Sequence, residues 1–111
     1  MANQFVKTLT TDVGTTPETV YATGVSTRST IIGINVANTT TGPIIVDIQF
    51  YDDANTNTGY IVKGVVIARG TSLAAVGGDQ KIVLEPEDSI IVTSNVATSA
   101  DVIVSALEIT S

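Results

Sequence analysis

The chain contains no cysteine, no histidine and no tryptophan. The missing cysteine excludes a disulfide, a thiolate nucleophile and a Cys-ligated zinc or iron–sulfur centre. Losing histidine removes the commonest general base and the commonest metal ligand. Charge is also scarce: only 14% of residues are Asp, Glu, Lys or Arg, against about 25% in an ordinary soluble domain. Five basic residues oppose eleven acidic ones, for a net charge of −6, and clustered Lys and Arg are what phosphate binding requires, so nucleic acid is not an expected partner. No apolar run approaches the roughly 18 residues of a membrane-spanning helix, so a membrane is not an expected partner either. The opening Met1-Ala2-Asn3-Gln4-Phe5-Val6-Lys7 lacks the basic-then-apolar pattern of a secretory leader, and the expected site of synthesis is a cytoplasm.

What is present is β-forming. Val, Ile and Thr together make 46 of the 111 residues, whereas the strong helix formers make only 27. That length suits one domain, residues 1–111, because two would each lack an adequate core. Short alternating segments recur between turn signals. Residues 4–11 set Phe5, Lys7 and Leu9 on one face against Val6, Thr8 and Thr10 on the other. In 29–38, Ile32, Ile34 and Val36 share a face, and Gly33 marks a bulge or a close backbone approach. In 44–51, Ile44, Val46, Ile48 and Phe50 face inward, and 29–51 reads as one antiparallel hairpin. Further strands are expected near 19–22, 60–68, 71–76, 81–84, 89–94 and 101–109. About eight strands with short turns predict an all-β antiparallel sandwich of jelly-roll or Greek-key type.

The strand faces carry the functional argument. Ile31-Ile32, Ile44-Ile45, Val65-Val66 and Ile90-Ile91 each place apolar bulk on both sides of a strand. The last strand sets Val102, Val104 and Ala106 opposite Ile103, Leu107 and Ile109. A domain this small buries only about two-thirds of its chain surface and cannot hide both sides of every strand. Part of the outside is therefore expected to be covered by another subunit. The expected contacts are the outward positions Ile45, Tyr51, Val102 and Val104, and Val104→Asp is expected to weaken assembly more than folding.

No constellation carries a reaction. Asp53, Asn55 and Asn57 have the i, i+2, i+4 spacing that opens an EF-hand loop, but Thr58 stands where Gly is needed and Gly64 where the bidentate Glu is needed. The 52–59 segment reads as a solvated hairpin tip. Glu85, Glu87 and Asp88 cluster in one turn, with Pro86 suited to its second position. A glycoside-hydrolysing pair would also need a cleft and aromatic platforms, so the turn reads as structural. Gly77-Gly78-Asp79 reads as a tight turn, and Asn38-Thr39-Thr40 as a formal glycosylation pattern without consequence. Arg28 and Arg69 are each a candidate for a charge pair across a subunit contact. No catalytic residue, cofactor or metal is expected.

The stretches Asp12 to Tyr21, Thr30 to Thr40, Gly77 to Glu85 and Val102 to Ile109 together resemble small virion structural proteins of tailed phages, especially those infecting cyanobacteria and other marine bacteria. The turn Glu85-Pro86-Glu87-Asp88 departs from that pattern, which has Gly before the Asp. The resemblance implies a β-sandwich that assembles on a virion as a trimer against other virion proteins such as the major capsid protein. A capsid decoration or cement role is the leading expectation. A neck, tail or fibre component is the alternative, and a carbohydrate-binding module using Tyr51 and Tyr60 a third.

Overall fold

In a computed structural model of the protein, residues 2–76 and 81–110 are described. Among these residues nine strands run in chain order: β1 (Ala2–Val13), β2 (Glu18–Ala22), β3 (Thr27–Asn38), β4 (Ile44–Asp52), β5 (Asn57–Ile67), β6 (Ser72–Val76), β7 (Ile82–Leu84), β8 (Ser89–Ser94) and β9 (Ala100–Thr110). They form two antiparallel sheets packed face to face, as the composition predicts. One sheet, called A, has the order β1-β9-β3-β6, with β7 also on β3; the other, B, has the order β2-β8-β4-β5. Strands β6 and β7 pair with opposite ends of β3, at Ile34–Ala37 and at Ser29–Ile31 respectively, and so act as one interrupted fourth strand. The predicted turn Gly77-Gly78-Asp79 lies outside the described residues.

The expected hairpin across 29–51 does not form. Strand β3 belongs to sheet A, and β4 pairs with β5 and β8 in sheet B. The chain changes sheets at a corner organised by Asn38, which is 5% exposed. Its side-chain N–H groups donate to the carbonyls of Gly42 (2.8 Å) and Ile67 (2.9 Å), and its Oδ1 accepts from the backbone N–H and the hydroxyl of Thr40. An amide with its donors and acceptors all engaged fixes the corner more firmly than a two-residue turn would. Strand β5 begins at Asn57, so the predicted eight-residue loop shrinks to a turn in which the Thr56 N–H donates to the Asp53 carbonyl (3.2 Å).

The core lies between the sheets. Val13, Val20, Ile31, Ile34, Val36, Ile44, Val46, Ile48, Leu84, Ile90, Val92, Val102, Val104 and Ala106 are each at most 2% exposed. Each of the four double-apolar pairs places one side chain inward and its neighbour outward, as alternation requires. The last strand corrects one expectation. Its two faces are partitioned as predicted, but the sides are reversed: Val102 (0% exposed) and Val104 (1%) lie in the core and are not outward contacts, whereas Ile103 is 45% exposed. Strand β9 is central, and its parity is fixed by its ladder with β3. There Val102, Val104 and Ala106 stand beside the buried Val36, Ile34 and Ile31. The bulge anticipated at Gly33 lies between Ile31 and Gly33, where the register shifts. It turns both Ile31 and Ile34 inward and leaves Ile32 half-buried on the outer face.

Candidate interaction surface

The outer faces of the two sheets differ in kind. On sheet A the ladder β1–β9 pairs Phe5 with Leu107 and Leu9 with Ile103. Phe5 is 75% exposed, Leu9 64%, Ile103 45% and, on β7, Val83 60%. Leu107, Ile109 and Ile32 add half-buried apolar area. Lys7, opposite Ser105, interrupts the patch. Between the Phe5 and Ile32 side chains lies a trough of about 400 Å³, also lined by Val6, Lys7, Ser105 and Ala106. Two of its lining residues, Ser105 and Ala106, have little side-chain bulk.

Sheet B faces outward with Asp47, Gln49 and Thr93 between its apolar groups. Ile45 (44% exposed) and Val66 (63%) pair at one end. Tyr51 is half-buried beside Thr58, and Tyr60 neighbours Gln49. The Lys63 ammonium sits 4.6 Å from the centre of the Tyr60 ring and occupies one face of it. Of the four predicted contacts, Ile45 and Tyr51 therefore share sheet B, while Val102 and Val104 belong to the core. The larger apolar face, on sheet A, lies elsewhere. Its signal was the Phe5-Lys7-Leu9 alternation against Val6-Thr8-Thr10: over that stretch the inward face holds one valine and two threonines, and β1 carries its larger apolar groups outward.

The acidic clusters serve the loops. Asp88 is 2% exposed. Its carboxylate accepts from the N–H groups of Asp53 (3.0 Å) and Glu85 (2.9 Å), and its backbone N–H donates to the Glu85 carbonyl (3.1 Å). Asp88 thus ties the β4–β5 turn to the turn before β8, a role hidden in what read as a solvated acidic turn. Pro86 takes the predicted second position, and Glu87 adopts φ 69°. The position at which Gly is expected before the Asp is thus a left-handed one. In the 52–56 segment the Asn55 amide donates to the Asp52 carboxylate (2.8 Å). Arg28 meets Glu85 within the chain at 2.7 Å, both ends being more than half exposed, a pair worth at most about 1 kcal/mol.

One polar cluster joins the sheets. The Tyr21 hydroxyl (β2) donates to Glu108 Oε2 (β9) at 2.6 Å and accepts from the Ser29 hydroxyl (β3), also at 2.6 Å. Burial, and then the hydrogen bond to the carboxylate, push the Tyr21 phenol up to about 12. The proton is held in place to bridge two sheets, the opposite of what a general base needs.

This topology is that of a double-sheet jelly roll, with four strands interleaved in each layer. No family model matches the sequence, and no curated protein aligns with it. Among solved structures, the chain is similar to one described as a Bacillus endospore appendage of a family of disulfide-linked pili. The TM-score is 0.59 and the identity 22%, over 98% of this chain and 87% of that one. It is also similar to a protein of the T13 particle of IBDV, infectious bursal disease virus, with TM-score 0.58 and 9% identity, over 96% of this chain but only 30% of the viral one. These likenesses establish a shared fold.

Proposed function

We infer that the chain is a non-enzymatic structural subunit that works as one copy among many in a proteinaceous particle. The observation that carries this reading is the apolar outer face of sheet A, built on Phe5, Leu9, Val83 and Ile103. At about 25 cal/mol per Å² of apolar area, a patch of several hundred Å² gains several kcal/mol when another subunit covers it. The fold supports the reading, since the chain's shape is found both in a pilus and in a viral particle. The phage-like segments of the sequence favour a virion as the setting, with capsid decoration or cement as the role. Such a protein adds a modest contact per copy that symmetry multiplies.

A second reading, a tail, neck or fibre subunit, is favoured by the end-to-end match to the pilus structure. It differs from the pilus in linkage, because a chain without cysteine forms no disulfide to its neighbours. Mass spectrometry of purified particles separates the two by copy number. Hundreds of copies per particle indicate cement; a small multiple of three or six indicates a tail position; absence from the particle overturns both.

A further inference from the structure

We propose that the outer face of sheet A is the seat of a second copy of this chain, the two copies packing face to face across the whole sheet. The proposal rests on the reading above and names its partner and surface. Three observations carry it. The first is area. Strands of 11 residues run roughly 36 Å and four of them span roughly 19 Å, so the face offers a footprint of roughly 700 Å² per copy. That is close to the ~800 Å² per partner of a stable interface. The second is charge. Lys7 stands between Phe5 and Leu9, Lys81 lies exposed ahead of β7, and Arg28 at the far end is already engaged by Glu85. An acidic, basic or phosphate-bearing partner would find little to recognise there, whereas an apolar face of the same kind matches it.

The third is shape. The face carries both a projecting ring, Phe5, and a trough beside it of about 400 Å³. A twofold axis lying in the plane of the face presents each copy's ring and trough to the other copy. Knob and hole on one surface are what an isologous contact needs. The outer face of sheet B, with Asp47, Gln49 and Thr93 among its apolar groups, stays in water or meets other subunits.

Two equally exposed aliphatic residues on opposite sheets provide the test. Leu9 is 64% exposed on sheet A and Val66 63% on sheet B. Sedimentation velocity is run on the full chain, on Leu9→Asp and on Val66→Asp, with far-UV circular dichroism confirming that each is folded. The wild type is expected to sediment as a dimer or larger. Leu9→Asp is expected to raise the dissociation constant of the pair roughly 100-fold or more, since each copy contributes one such side chain. Val66→Asp is expected to leave the pair intact. Phe5→Asp, on a ring that is 75% exposed, gives the same readout should Leu9→Asp not fold. If only Val66→Asp dissociates the oligomer, or neither sheet A variant does, the contact lies elsewhere and this proposal falls while the assembly reading stands. A monomeric wild type overturns both.

Discussion

Single residues hold this molecule at its corners. At the turn before β8, Glu87 is left-handed at φ 69°, a conformation that costs an L-residue with a side chain about 1–2 kcal/mol and costs Gly almost nothing. Glu87→Gly therefore stabilises the chain by about 1 kcal/mol, read as a higher urea midpoint at unchanged slope. Asn38 satisfies four backbone or hydroxyl partners at the β3–β4 corner. Asn38→Ala strands several of them, and a loss of about 2–4 kcal/mol is expected in the same measurement. Tyr21 sets a pH dependence. Its phenol ionises near 10 in the unfolded chain and at about 12 in the folded one, so between those values the folded state holds more protons. Its contribution is intact below pH 10 and is lost as the pH rises through 12. Unfolding measured from pH 8 to pH 12 should show wild-type stability falling faster than that of Tyr21→Phe. Parallel profiles would remove the assignment.

At the scale of elements, the strands were legible and their partners were not. Alternation in 44–51 marked β4 and its inward face correctly, because period two is written in the residues themselves. Pairing depends on where the corners send the chain, and Asn38 sends β4 to the other sheet. The side taken by β9 was equally hidden. Isoleucine and leucine on one face and valine and alanine on the other do not say which set is inside; the buried Ile31, Ile34 and Val36 of β3 decide it. Val104→Asp consequently puts a carboxylate into the core and abolishes cooperative folding itself, rather than assembly alone. Glycines divide in the same way. A Cβ on Gly14 meets the Thr98 backbone N at 3.0 Å and the Ala97 Cα at 3.2 Å, whereas one on Gly33 finds nothing nearer than the Val76 carbonyl oxygen at 3.8 Å. Gly14→Ala is expected to cost about 1–3 kcal/mol and Gly33→Ala to be neutral or slightly stabilising, with thermal midpoints as the check.

The whole molecule is a slab of 45 × 26 × 22 Å with two unlike sides. Low charge and apolar residues on both faces of several strands point to assembly from the sequence alone. The particular surface was out of reach, because it emerges only when β1 is laid beside β9 and Phe5, Leu9, Leu107 and Ile103 meet. Asp88 and Tyr21 were illegible for a related reason: one partner of each, Asp53 and Glu108, lies 35 and 87 positions away. The central claim is that a solitary copy is not the working form, and sedimentation velocity of the wild-type chain from micromolar to millimolar concentration tests it most directly. The account predicts a species heavier than 11.5 kDa that grows in proportion with concentration; a single 11.5 kDa boundary at every concentration contradicts it.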